Sequence, residues 1–179
     1  LVCGPVMLNV ILYGIFPFLL IYAAFSDLFS MTIPNWLSLL LVAGFAAAAL
    51  TIGLSWQEIA FNLGISFAVL VVGFTLFAFN IMGGGDAKFA AAIALWIGAN
   101  EYTYVFLLLM SVYGGVLTLA ILLYRRLPYL PSWLHRFDWL LRMHDQSVGV
   151  PYGIAISIAA IQIYPKTPWF TALGSELIL

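Results

Sequence analysis

The sequence predicts an all-α fold: a polytopic integral membrane protein with about six transmembrane helices and an amphipathic helix between the fifth and the sixth. Three observations carry this prediction. Of 179 residues 65% are hydrophobic and only 7% charged, whereas a soluble domain carries about 25% charged residues. The apolar runs are continuous, not alternating, and a transmembrane barrel needs period-two patterning. Helices satisfy their own backbone polar groups in lipid, which open sheets cannot do. The length suggests one domain over residues 1–179, with no internal repeat and no low-complexity linker.

A spanning helix needs roughly 20 apolar residues. The first run, Val6 to Phe25, lacks a basic n-region and is expected to stay as a span, not to be a cleaved signal peptide. The second covers Trp36 to Gly53, with Pro34 suited to the helix's first turn, where a missing N–H costs nothing. The third covers Ile59 to Phe79. The fourth, Ala87 to Ala99, is short, so it thins the bilayer or starts below the headgroups, and Asp86 stands at its start. The fifth runs from Tyr102 to Tyr124. Pro128 and Pro131 then break the chain. Leu134, Phe137, Leu140 and Leu141 recur at helical spacing among His135, Arg136, Asp138 and Arg142, the pattern of a helix lying on a membrane surface. The sixth run, Val150 to Tyr164, is again short. Trp36, Trp56, Trp133 and Trp169 fall near predicted boundaries, where tryptophan anchors helices at the interface.

With six spans the first, third and fifth loops share one side. Lys88, Arg125, Arg126, Arg136 and Arg142 lie there, and only Lys166 lies opposite. Basic residues favour the cytoplasm, so the odd loops are expected inside the cell and both termini outside. The net charge of −1 gives no electrostatic case for nucleic acid. Cys3 is the only cysteine, so no intrachain disulfide or cysteine cluster for zinc is possible. His135 and His144 lack a recognised ligand spacing and read as polar positions on the surface helix. No metal or other cofactor is expected. Glu58 and Glu101 read as loop solvation on the opposite side.

Asp27, in the stretch FSDLFSMTIPNW, and Asp86, in NIMGGGDAKF, fall at the same predicted membrane face, on loops that can converge. An ionisable residue at membrane depth is costly and reads by default as functional. Two carboxylates held close cannot both ionise easily, so such a pair shares a proton near neutral pH, as in aspartic proteases. One takes a proton from water while the other protonates the peptide carbonyl. Gly83, Gly84 and Gly85 lack side chains, so backbone or substrate can approach Asp86 closely. A structural reading stands beside this one: Asp86 caps the fourth helix and Asp27 marks a solvated loop. Lys88 reads as an interfacial anchor or as a residue tuning Asp86. Thr32, Asn35 and Asn80 can hydrogen-bond near the site or serve helix entry and turns.

Asp27 followed by LFSMT and Ile33-Pro34-Asn35, GGGDAKF over Gly83 to Phe89, and VPYGIAI over Val150 to Ile156 together resemble the prepilin peptidases of type IV pilus and type II secretion systems. The resemblance implies an aspartic endopeptidase of the cell's inner membrane. Asp27 and Asp86 would be its catalytic pair, and prepilins or pseudopilins its substrates, each cut after a glycine at the cytoplasmic face. With no domain of paired cysteines, the chain resembles the short class found with tight-adherence pili, for which no methyltransferase activity is expected. Met31 stands where the family often has arginine. Archaeal preflagellin peptidases and presenilin-like proteases carry a similar G-x-G-D. A transporter or channel component, and a non-catalytic assembly protein, are the readings from other classes. The two acids sharing one side, and the presence of both, argue against these.

Overall fold

The computed structural model describes residues 3–131, 134 and 136–170. Trp133 and His135, and the predicted position of the C-terminus, lie outside the described residues. Seven α-helices follow one another among them: α1 (Cys3–Ser30), α2 (Asn35–Ile52), α3 (Trp56–Ala78), α4 (Gly84–Ile97), α5 (Glu101–Arg125), α6 (Asp138–His144) and α7 (Tyr152–Ile163), the last running into a 3-10 turn over Tyr164–Lys166. No strand occurs among the described residues. Three helices, α2, α3 and α5, are long and apolar enough to cross a membrane, and α1 adds an apolar run over Gly14–Ser30.

The short fourth segment is the centre of the fold. From Phe89 to Ile97 every residue of α4 is buried, with α3 and α2 on its flanks and α7 behind. Small residues permit this. A Cβ on Gly73 of α3 would stand 2.8 Å from the Ala87 Cβ, so the two backbones approach as closely as helices in lipid favour. A second group forms where α7 packs between α1 and α5. Outside, large apolar side chains such as Phe61, Phe67 and Leu108 are exposed, the inverse of a soluble surface.

One end of the bundle is closed by aromatic rings. The Trp96 indole donates to the Leu41 carbonyl at 2.7 Å and the Trp169 indole to the Trp96 carbonyl at 2.6 Å, so both buried N–H groups are satisfied. Phe16 and Phe45 pack against the same rings. Glu58 is no loop residue. It is the third residue of α3 and completes a capping box with Ser55, a signature S-x-x-E that satisfies two orphan donors reciprocally. Glu101 likewise opens α5, behind the Asn100 cap.

The predicted surface helix is shorter than its apolar spacing suggests. Regular α-helix covers only Asp138–His144, with Phe137 as an extended cap and Leu134 buried ahead of it. Leu134 and Phe137 therefore do not share a helical stripe with Leu140 and Leu141. The His144 Nε2 lies 3.1 Å from the Leu127 carbonyl, with its ring edge-on to Tyr124.

Candidate active site

The end opposite the aromatic cluster gathers the termini of six helices, and both aspartates stand there. Asp27 lies in the last turn of α1, which continues to Ser30. It is therefore on a helix, not the predicted loop, and at 4% exposure it is not solvated. The polar residues around it extend the helix by bonding locally. The Ser30 hydroxyl donates to the Ser26 carbonyl at 2.6 Å, and the Ser26 hydroxyl to the Thr32 carbonyl at 3.1 Å. The helix stops at Met31, in the left-handed region at φ 55°, with its N–H on the Asp27 carbonyl at 2.9 Å. Pro34 then caps α2 one position ahead of the predicted first turn, a difference of one residue that helix ends commonly show.

Asp86 reaches the same end from the other side. After α3, Asn80 adopts φ 56°, a conformation asparagine tolerates better than most residues. Gly83 is the cap of α4 and Asp86 its third residue. The Gly83 N–H donates to the Asp86 carboxylate, the half of a capping box that reaches back across the first turn. The capping reading of Asp86 is thus physically present in altered form: the cap residue is Gly83, and Asp86 braces it. The carboxylate is only 9% exposed. None of the three glycines has a positive φ; what they supply is space. A Cβ on Gly83 would meet an Asp86 carboxylate oxygen at 2.7 Å, one on Gly84 the Phe77 ring at 3.4 Å and one on Gly85 the Ile33 carbonyl at 3.4 Å.

The third contribution comes from α7. Arg125, at the end of α5, donates to the carbonyls of Met143, Val148 and Gly149 and so fixes the turn that delivers α7. In that turn the Ser147 backbone N–H and hydroxyl hold the Asp145 carboxyl below its ordinary range. Gly153, the second residue of α7, then donates its N–H to Asp27 Oδ2 at 2.7 Å. A Cβ there would lie 2.8 Å from that oxygen and 2.7 Å from Ile33 Cδ1. The first N–H groups of a helix have no partner within it and carry positive partial charge. Both aspartates therefore face helix starts, Asp27 that of α7 and Asp86 that of α4. Gly153 lies within the VPYGIAI stretch but carries no site role in the sequence reading. Gly153, two residues after the cap Pro151, marks a helix start, but nothing local names Asp27 as its partner.

Asp27 and Asp86 line one cleft of about 600 Å³, with Asn35, Asn80, Gly83, Gly85, Met31 and Tyr152 among its walls. Lys88 is not among them. It stands on the exposed side of α4 and donates to Asn35 Oδ1 at 3.1 Å, because residues two apart on a helix face different ways. A model of the type IV leader peptidase family matches residues 14–119, more than half of the chain and the part that holds both aspartates. The chain belongs to the type IV leader peptidase family. Neither a curated protein nor a solved structure matches it. As a member of that family it is a leader-peptidase-like protease of the membrane. The matched region ends within α5, so Gly153 and the rest of α7 enter the site from outside it.

Proposed function

We propose that this leader peptidase is an aspartic endopeptidase that removes the short leader of type IV prepilins or pseudopilins, cutting after a glycine, with Asp27 and Asp86 as the catalytic pair and no methyltransferase activity. One observation carries the reading: two buried carboxylates, from separate helices, face one cleft. Held close in a low-dielectric cleft, the pair carries one proton between its members. The ionised member draws a proton from water as that water attacks the peptide carbonyl carbon. The protonated member gives its proton to the carbonyl oxygen. As the C–N bond breaks, a proton passes to the leaving amine, and the pair returns to its starting state.

In the proposed setting α1 to α5 and α7 are six spans of the inner membrane, the cleft opens to the cytoplasm and both termini lie outside. The segment around α6 lies on the cytoplasmic membrane surface, against lipid. The ends of α1 and α3 and the starts of α2, α4 and α7 meet around the cleft, and the end of α5 reaches its rim through the Arg125 bond to the Gly149 carbonyl, which supports spans of alternating direction. The test is co-expression with a panel of prepilins, reading leader removal by mass for the wild type, Asp27→Asn and Asp86→Asn. Cleavage after glycine by the wild type alone, with both variants folded and inserted, is the expected result. Wild-type cleavage by both variants would make the carboxylates structural and remove the catalytic assignment.

A further inference from the structure

The start of α7 is held from two sides. Its cap is Pro151, which makes no side-chain hydrogen bond. Beyond the turn that Arg125 fixes, its placement rests on what its first residues touch. Gly153 meets Asp27 of α1. Tyr152, one residue earlier, turns to α5 instead. Its hydroxyl lies 3.0 Å from the Thr118 hydroxyl, which also donates to the Gly114 carbonyl at 2.7 Å. Gly114 makes room for the phenol ring: a Cβ there would stand 3.1 Å from Tyr152 Cδ1 and Cε1. Successive residues of a helix diverge by about 100°, so the two contacts lie on different sides of α7. Tyr152 also lines the aspartate cleft, but its hydroxyl is engaged on α5 and not on the carboxylates.

We propose that Thr118 and Tyr152 are positioning residues for Asp27: their hydroxyl pair fixes the rotation of the first turn of α7 and so keeps the Gly153 N–H on the Asp27 carboxylate. The proposal rests on the reading of Asp27 as a member of the catalytic pair. A buried carboxylate needs its hydrogen-bond donors, and the Gly153 N–H is the one that Asp27 has among the described residues. Gly153 cannot fix its own orientation. It has no side chain, and a Cβ would stand 2.8 Å from Asp27 Oδ2. Its neighbour therefore does the holding. A flat ring lying on Gly114 can slide along α5, whereas a hydrogen bond is directional and ties α7 to one point of that helix. Small residues that let helices approach, with a hydroxyl bonding across the contact, are how helices in lipid fix their mutual placement.

The experiment measures two quantities on the full chain in detergent: kcat and KM for a prepilin, and hydrogen exchange at the Gly153 amide, read by nuclear magnetic resonance with isotope-labelled glycine. Thr118→Val and Tyr152→Phe should each lower kcat by about three- to tenfold, the range of one interhelical hydrogen bond, with little change in KM. Both should speed Gly153 exchange by a similar factor. Thr118→Ser keeps the hydroxyl and should restore both quantities. In the Gly153→Ala background the contact with Asp27 is already displaced, so neither substitution should lower kcat further. A pair that only stabilises the bundle would lower kcat by the same factor in both backgrounds, and that result overturns the proposal. Unchanged Gly153 exchange in both variants overturns it too, as does a Thr118→Ser variant as impaired as Thr118→Val. Faster exchange with unchanged kcat removes the positioning role and leaves the peptidase reading standing, provided that the wild type cuts and Asp27→Asn does not. If Asp27→Asn cuts like the wild type, the peptidase reading itself falls, and the exchange rate alone decides whether the pair holds Gly153 on Asp27.

Discussion

The two ends of this bundle solve opposite problems. At the aromatic end the helices meet over Trp96 and Trp169, each indole N–H has a carbonyl partner, and the buried Thr103 hydroxyl donates to the Gly98 carbonyl. The rings pack on one another, leaving a smaller cleft of about 200 Å³ beside Trp96, Asn100 and Trp169, and these polar groups are paired. At the aspartate end the termini of α1, α2, α3, α4 and α7 meet around a cleft of about 600 Å³. Two carboxylates are buried there, each held by a single glycine N–H. One end is built as a core and the other as a site. The difference teaches that stability and chemistry are separable along the length of the helices, and it can be broken or sharpened by substitutions at each end.

The largest expected effect is at the closed end. Trp96→Ala removes a fully buried ring that touches Phe16, Phe45 and Trp169. It should cost about 3–5 kcal/mol in thermal or denaturant unfolding in detergent, while the activity of each folded molecule stays near that of the wild type. If instead activity per folded molecule collapses, the two ends are coupled and the separation fails. At the open end Gly153→Ala should do the opposite. The added Cβ would stand 2.8 Å from Asp27 Oδ2, so the carboxylate must move. A displacement of about 1 Å in a catalytic group costs on the order of 10²-fold. Leader cleavage should fall by about that much with little change in unfolding, and an unchanged kcat/KM would show that Asp27 tolerates its displacement.

A smaller effect is expected at the cap of α3. Ser55→Ala removes the hydroxyl that accepts the Glu58 N–H and should lower stability by about 1 kcal/mol without touching cleavage. A loss of leader processing in this variant, at equal protein level, would mean that the far end of α3 sets the geometry of the cleft.

How much of this was legible in the sequence depends on whether the signal was local. The all-α class follows from composition, and Asp27 and Asp86 stand out because acids are rare in so apolar a chain. The role of α4 as the buried centre does not follow: FAAAIALWI reads the same whether it faces lipid or protein. Lipid removes the polar-outside signal that marks a surface in soluble proteins. The burial of Asp27 was hidden for a related reason. Serines and a threonine after Phe25 suggest a loop, but Ser26, Ser30 and Thr32 bond to one another's backbone and carry the helix on. Gly153 bonds to a residue 126 positions away, a relation no local pattern encodes. The Ser55–Glu58 box, by contrast, is local: its S-x-x-E spacing marks the start of α3, against the loop role expected of Glu58.

The finest test of the comparison concerns Lys88, two residues from Asp86 in sequence and a supporting site residue in the sequence reading. In the fold it points away from the cleft, on the exposed side of α4, and its partner is the neutral Asn35 side chain. A hydrogen bond at an exposed position contributes about 0.5–1.5 kcal/mol, and the charge can reach the headgroups in either case. Lys88→Met keeps the apolar stem and removes the ammonium. It should leave unfolding within about 1.5 kcal/mol of the wild type and kcat/KM within about tenfold, since that bond's net worth of about 0.5–1.5 kcal/mol is about one power of ten at most. The small change should come through Asn35, which does line the cleft. Asn35→Ala in the Lys88→Met background separates the two: if Lys88 acts only by holding Asn35, the double variant should match Asn35→Ala alone. A loss well beyond tenfold on removing the ammonium would instead place its charge in the chemistry, and the boundary drawn here between the site and its exposed surroundings would have to move one helical face outward.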